Sequence, residues 1–295
     1  MYKRQGHCHA ALLEDRGLLR VAGADARKFL QGLVTGNIDR VREGAAIHAG
    51  LLSPQGKILF DFFVVADGGD LLLDIARDKA AELAKRLGFY RLRAAVEITE
   101  DRSLAVASVW GGASRLPARA IAYPDPRLPE LGFRVLLAAG AGASDFGCAA
   151  ASADAYHALR IGLGVPEGGR DFTLGEAFPH EALFDQLSGV DFAKGCFVGQ
   201  EVVSRMEHRG TARRRIVPVE GDGPLPAPGA SIEAGGVAIG TLGSVSGSAG
   251  LAMLRLDRAE EAIARGVALT ADGVKLTLRR PDFARFSVPT AGAPA

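Results

Sequence analysis

The sequence predicts an α+β protein that ends in a small all-β module. Through most of the chain, strand-like apolar runs alternate with stretches of helical periodicity. From Gly221 onward, the composition changes to short apolar runs separated by Gly, Pro and Ser, a pattern typical of a small β module. The chain shows no repeat of fixed period, which argues against a solenoid or a propeller.

The composition is that of a folded protein without a strong global charge. The chain has 295 residues, of which 48% are hydrophobic and 23% charged, and 35 basic residues face 34 acidic ones. No overall field therefore draws it to nucleic acid or to a membrane. The basic residues near the N-terminus are not followed by an apolar stretch, and no apolar run is long enough to span a bilayer. We therefore expect a cytoplasmic protein without membrane partners.

The three cysteines, Cys8, Cys148 and Cys196, are odd in number and lie far apart in the sequence. This pattern argues against a disulfide framework and fits a reducing compartment. Cys148 stands among Gly and Ala, so we interpret it as a small buried apolar group. Residues 7–9 read His-Cys-His, and we interpret them as an exposed tail because adjacent donors rarely converge on one metal ion.

The N-terminal half predicts a strand, a helix and a hairpin in that order. Asp25 stands where a cap would precede a helix over residues 26–33. Strands over residues 57–65 and 71–75 flank the turn formed by residues 67–70, which predicts a hairpin.

Further along, the periodicity predicts a helix over residues 78–87, then a strand over residues 91–99 in which Arg91 and Arg93 share a face. Loops are expected within residues 111–129 and 140–144. A helix is expected over residues 152–161, ending at Gly162.

The densest cluster of unusual residues lies at 178–181 and 191–201. Gly195 and Gly199 bracket Cys196, which would allow a ligand to approach the backbone closely. Lys194 supplies a cation that would favour the thiolate. A thiolate is also a preferred ligand for iron and for iron-sulfur clusters. The alternative is a buried structural thiol in a glycine-rich turn.

The run Lys-Gly-Cys-Phe-Val-Gly-Gln-Glu over residues 194–201 resembles the signature of the YgfZ-type folate-binding family, which is related to the glycine-cleavage T-protein and includes a mitochondrial iron-sulfur assembly factor. Further similar segments follow in the same order along the chain, at residues 29–35, 51–57, 90–93, 162–169, 178–181, 203–205, 208–210 and 213–215. Nearly the whole chain is covered by the resemblance.

The resemblance implies a three-domain ring of the T-protein type that binds tetrahydrofolate or a derivative. Its domains would be a folate-binding α+β domain at 1–50 plus 115–205, a ferredoxin-like domain at 51–114, a β-barrel at 206–286 and a flexible tail at 287–295. Cys196 would be the functional thiol and a ligand of a transient iron-sulfur cluster. The residues expected at the folate are Lys194, Gly195, Phe197, Gly199, Gln200, Glu201, Glu181 and Arg205.

The resemblance further implies an accessory role in the assembly or repair of iron-sulfur clusters, beside carrier proteins and client enzymes that include radical enzymes modifying tRNA. T-protein relatives that transfer a methylene group carry paired aspartates on the strand after the glycine turn, whereas this chain has Phe60 and Asp61 there. A phenyl ring cannot move a proton or stabilise a cationic intermediate as a carboxylate can. We therefore expect no methylene transfer. The alternative, a folate-dependent aminomethyltransferase or related one-carbon transferase, would use Asp61.

Five arginines follow the cysteine segment, at 205, 209, 213, 214 and 215. They could bind a folate polyglutamate tail, an RNA phosphate or an acidic partner, or they could form a solvated surface. No signature of an RNA-binding module accompanies them, so we do not expect direct tRNA binding.

Overall fold

The computed structural model describes residues 8–112, 117, 119–210 and 212–290. The chain divides into two compact units. The first comprises Met1–Leu52, Phe60–Tyr156 and Leu187–Val198, and the second comprises Ser53–Leu59, His157–Gln186 and Gly199–Ala295. In the described part of the chain, no helix combines the length and the apolar character needed to cross a membrane.

Two five-stranded sheets are built from the first ten strands. One sheet has the order β10-β1-β7-β9-β8 and the other β3-β4-β5-β2-β6. The strands are β1 His9–Leu12, β2 Arg16–Ala22, β3 Ile47–Leu52, β4 Ile58–Asp67, β5 Asp70–Ala76, β6 Glu97–Asp101, β7 Leu104–Trp110, β8 Ile121–Pro124, β9 Phe133–Ala138 and β10 Ala149–Ala150. The hairpin predicted around residues 67–70 is confirmed as β4 and β5, which pair in antiparallel register up to Asp67 and Asp70.

The last six strands close into a barrel of order β11-β14-β13-β12-β15-β16. They are β11 Arg214–Gly221, β12 Ser231–Ala234, β13 Val237–Ser246, β14 Ala249–Arg255, β15 Leu269–Ala271 and β16 Val274–Leu278. Alternating side chains such as Val217, Ile232, Leu242 and Leu254 fill its core. The small all-β module predicted after Gly221 is thus a closed barrel, although its first strand begins earlier.

Five α-helices complete the described structure: α1 Ala26–Gln31, α2 Ala80–Arg91, α3 Ala153–Leu163, α4 Gln200–Arg209 and α5 Leu256–Ala264. The helices predicted near residues 26, 78 and 152 are confirmed, with ends shifted by a few residues. Asp25 precedes α1 but makes no capping bond from its side chain, which instead accepts a hydrogen bond from the Ala95 amide.

The strand predicted over residues 91–99 is wrong in its first half. Helix α2 continues to Arg91 and ends at Leu92, whose φ of 43° breaks the helix, and the strand begins only at Glu97. Gly88 lies inside this helix, on its exposed side. Arg91 and Arg93 therefore do not share the face of a strand.

The expectation of no disulfide is also wrong. Cys8 and Cys148 are bonded, with their Cα atoms 4.9 Å apart at a sequence separation of 140. The parallel pairing of β1 with β10 explains the bond, because it places His9 opposite Ala149. Cys148 is therefore a half-buried disulfide partner, and His9 lies in a strand instead of a tail. His7 and the last five residues of the predicted C-terminal tail lie outside the described residues.

A buried ionic network lies in the first unit, and no local pattern in the sequence predicts it. Arg16 and Arg134 both bind Asp74, and Arg127 binds Asp125 through two nitrogens. All five side chains are at most 4% exposed, and paired hydrogen bonds of this kind offset the cost of burying charge. The domain limits given above remain predictions.

Candidate functional site around Cys196

Cys196 is exposed and carries the one free thiol of the chain, since the other two cysteines are bonded to each other. It lies in an irregular segment of the first unit that enters from residues 187–193. The Asp191 amide donates to the Thr35 carbonyl oxygen, and the Thr35 hydroxyl donates to the Gly189 carbonyl oxygen at 2.5 Å. The backbone before Cys196 is thereby fixed to the loop after α1. Because Cys196 is exposed, the alternative of a buried structural thiol is wrong.

Lys194 anchors the same segment. Its Nζ donates to the carbonyl oxygens of Gln31, Val34 and Gly36 at 2.8, 2.6 and 2.8 Å. An ammonium group has three donors, so this cage uses all of them. Burial lowers the pKa of Lys194 to about 8, and Asp191 opposes the drop.

The Lys194 ammonium therefore anchors this segment to the loop after α1, a structural role that the sequence did not reveal. The sequence predicts that this cation favours the thiolate of Cys196, but its three hydrogens point to backbone oxygens. Phe197 is buried, and its ring centroid lies 5.5 Å from the same Nζ. Lys194 and Phe197 therefore hold the segment in place on both sides of the exposed Gly195 and Cys196.

Gly195 does not need to be glycine for internal steric reasons. A Cβ built on it meets no described atom within 4 Å, and its φ is not in the left-handed region. Because an alanine would fit at this position, the Gly195→Ala variant can test directly whether a ligand approaches the backbone there. Gly199 differs, because its φ of 80° is a conformation that glycine adopts without strain.

In the second unit, Gly199 precedes α4, which carries the next three predicted site residues. Gln200 is half-buried at the start of the helix. Glu201 and Arg205 form an ion pair of 2.6 Å on its surface, with side chains 85% and 57% exposed. A ligand could open such an exposed pair at little cost, because pairs one helical turn apart contribute only about 0.3–0.5 kcal/mol.

The turn before β4 packs against the start of α4. A Cβ on Gly56 would lie 2.9 Å from the Cβ of Val202, so only glycine fits at this contact. The turn at residues 53–57 therefore contacts the start of α4 within the second unit.

Glu181 is buried and already has partners. Its carboxylate accepts from the Phe178 amide at 2.9 Å and from Arg214 Nε at 2.8 Å. Lys57, which the sequence analysis had not singled out, lies over the Phe178 ring with Nζ 3.2 Å from the centroid. Desolvation lowers the pKa of Lys57, and the Glu181 carboxylate opposes this drop.

His180, beside Glu181, connects the same loop to α4. Its Nε2 lies 2.9 Å from the Glu207 carboxylate, and the Asp185 carboxylate is close enough to complete a group of three metal donors. Both oxygens of Asp185 also accept from Arg215, at 3.0 and 2.9 Å, so a cation there would meet a guanidinium. We therefore interpret this group as a polar link between loop and helix.

The five arginines after the cysteine segment do not form one free patch. Three of them are paired with carboxylates: Arg205 with Glu201, Arg214 with Glu181 and Arg215 with Asp185. Arg209 and Arg213 are exposed and make no ion pair with any described residue.

Phe60 and Asp61 both lie on β4, the strand after the turn at residues 53–56. Phe60 is buried and Asp61 is half-buried in the first unit. The Phe60 side chain is 3% exposed and packs into the core.

Sequence comparison with known proteins identifies the protein family to which this chain is similar. Residues 213–286 match the family model of the CAF17 C-terminal β-barrel domain. The chain is 34% identical over 270 residues to the human mitochondrial iron-sulfur cluster assembly factor IBA57, spanning 82% of this chain and 76% of that protein. It is 33% identical over 244 residues to the IBA57 homolog of Neurospora crassa, covering 74% of this chain. The chain spans only 56% of the length of that fungal relative, and the same share of the Mycosarcoma maydis homolog.

A solved structure confirms the fold. The crystal structure of glycine cleavage system aminomethyltransferase T from Bartonella henselae superposes with a TM-score of 0.74 and 16% sequence identity, covering 95% of this chain and 87% of that one. The α+β class with a C-terminal six-stranded barrel is therefore confirmed. The chain belongs to the family of iron-sulfur cluster assembly factors that contains IBA57.

Proposed function

We propose that this chain is a folate-binding accessory protein that assists the assembly or repair of iron-sulfur clusters in client enzymes. The observation that carries the proposal is the exposed, free thiol of Cys196, held between the anchored Lys194 and the buried Phe197. Thiolates are the standard ligands of such clusters. Radical enzymes that modify tRNA are among the proposed clients, and the cytoplasm is the proposed location.

The number of thiols sets how a cluster can be held. A cluster takes four cysteine ligands in its common form, whereas Cys8 and Cys148 are occupied by their bond and leave one ligand. The missing ligands must come from another protein or from small thiols. We therefore propose that Cys196 shares a cluster transiently with an iron-sulfur carrier and does not store one.

Folate binding is the second part of the proposal. Its support is the likeness of the fold to an aminomethyltransferase, together with polar groups that a ligand could reach at Gln200, Glu201 and Arg205. Tetrahydrofolate would supply a one-carbon carrier if bound, and the Glu201–Arg205 pair offers both a carboxylate and a guanidinium to it.

The test is anaerobic cluster reconstitution followed by visible spectroscopy, on the wild type and on Cys196→Ser, each alone and with a carrier protein. We expect cluster absorption on the mixture of wild type and carrier beyond that of the carrier alone, and none of this excess with Cys196→Ser. Equal absorption with both variants would remove the thiol from the mechanism. Titration with tetrahydrofolate in the same samples tests the folate part separately.

A folate-dependent one-carbon transferase is the second candidate, favoured by the fold match and by Asp61. Purified protein with tetrahydrofolate would then consume an aminomethyl or N-methyl substrate, and Asp61→Asn would abolish turnover. We expect no turnover, because the resemblance to T-proteins pairs Phe60 with the position of the partner acid. Turnover that Asp61→Asn abolishes would establish the transferase instead.

A further inference from the structure

A cleft of about 610 Å³ opens in the first unit beside the segment that leads to Cys196. Residues 188 and 190–193 line it, together with Ile47 and His48 from β3. Burial lowers the pKa of His48 to about 3, so this ring is neutral at physiological pH. Apart from Arg40, Arg42 and Asp191, the residues that line the cleft are therefore uncharged.

The rim of the cleft is positively charged. Arg40 and Arg42 both line it and both are exposed. Arg40 contacts Asp191 at 3.0 Å, while Arg42 makes no ion pair with any described residue. Paired backbone hydrogen bonds between Arg42 and Ala45 fix the turn that carries Arg42. Two guanidinium groups against one carboxylate favour an acidic occupant.

Phe192 adds an apolar contact point at the same place. Its side chain is 38% exposed, which is unusual for a large hydrophobic residue of this chain, and it lines the cleft. It stands two residues before the anchored Lys194, and Cys196 stands two residues after it. Lys194 thus anchors a segment that exposes both an aromatic side chain and a thiol. Aromatic and arginine residues are enriched at protein interfaces, so Phe192 beside Arg40 and Arg42 fits a docking surface.

We propose that this cleft docks an acidic segment with an apolar side chain, carried by the iron-sulfur protein that shares its cluster with Cys196. Arg40 and Arg42 bind the carboxylates, and Phe192 packs against the apolar side chain. The inference rests on the proposed function and adds to it the surface that aligns the partner with the thiol.

The experiment measures binding of a cluster-loaded carrier protein from the same genome to the full chain, by isothermal titration calorimetry at two salt concentrations. The variants are Arg42→Glu and Phe192→Ser. Matched controls are Arg86→Glu and Phe89→Ser, which change the same residue types at exposed positions of α2. The fluorescence of Trp110, the one tryptophan of the chain, reports whether each variant is folded.

We expect each cleft variant to weaken binding at least tenfold and Arg42→Glu to reduce the dependence on salt, while both controls stay within twofold of the wild type. Folded cleft variants that bind the carrier as the wild type does would overturn the docking proposal, even if Cys196-dependent cluster absorption is seen. Competition between free tetrahydrofolate and the carrier that Arg42→Glu abolishes would also overturn it, because the cleft would then be the folate site. A wild type that neither binds the carrier nor receives a cluster would overturn the proposed function together with it.

Discussion

Replacement of Lys194 by methionine tests whether one side chain fixes the segment of the candidate thiol. The substitution keeps most of the apolar stem and removes three charge-assisted hydrogen bonds to Gln31, Val34 and Gly36. Such bonds contribute about 1.5–3 kcal/mol each, and the desolvation of the ammonium opposes them. We therefore expect the free energy of unfolding of the first unit to fall by about 3–5 kcal/mol.

The measurement is urea denaturation followed by the fluorescence of Trp110. This tryptophan lies in the first unit, so its signal reports that unit even if the second unfolds separately. Lys85→Met, at an exposed position of α2, is the control and should change stability by less than about 0.5 kcal/mol. A loss below about 1 kcal/mol for Lys194→Met would refute the idea that the cage anchors the segment.

Three other predictions follow from the same structure. Burial lowers the pKa of His48 to about 3, so the unfolded chain binds more protons than the folded one between pH 6.5 and 3. The free energy of unfolding of the wild type should therefore fall by about 2 kcal/mol between pH 7 and 5. His48→Gln should not show this loss in matched urea titrations. Breaking the Cys8–Cys148 bond by Cys148→Ser should destabilise the first unit by up to about 5 kcal/mol, because the two cysteines are separated by 140 positions in the sequence and the bond closes this long loop. Alkylation and mass spectrometry of protein from lysates quenched in acid would show whether the bond forms in the cell. If both cysteines were fully alkylated, that result would contradict the structure. Gly195→Ala should change the free energy of unfolding by less than about 0.5 kcal/mol relative to the wild type. A loss of folate binding or of cluster absorption in this variant would therefore reveal a ligand at the backbone. Unchanged binding would remove Gly195 from the site.

Local patterns predicted much of the fold. The hairpin of β4 and β5 followed from two apolar runs around a Gly-rich turn, and the small all-β module at the C-terminus followed from short runs broken by Gly and Pro, whereas its barrel form was implied only by the family resemblance. The boundary between α2 and β6 did not, because alternation of Arg91 and Arg93 resembles a strand although these residues end a helix and form a loop. Period alone does not separate a helix end from a strand start over so few residues.

Long-range pairing was the part that the sequence could not provide. The Cys8–Cys148 bond depends on the parallel register of β1 and β10, and the network around Asp74 joins strands far apart in the chain. The motif at residues 194–201 singled out the segment whose cysteine is free and exposed in the structure. It could not show that the acceptors for Lys194 are carbonyl oxygens some 160 residues earlier.

Within the candidate site, the residues that are already occupied limit its chemistry. Lys194 has no donor left for a ligand, and Glu181 is bound to Arg214 and to the Phe178 amide. What the segment still offers is the thiol of Cys196 and the open backbone at Gly195. A soft thiol beside uncrowded backbone suits a metal cluster or thiol exchange better than recognition of an anion. Recognition of folate must therefore depend on groups beyond this segment, which is why the two halves of the proposed function require separate measurements.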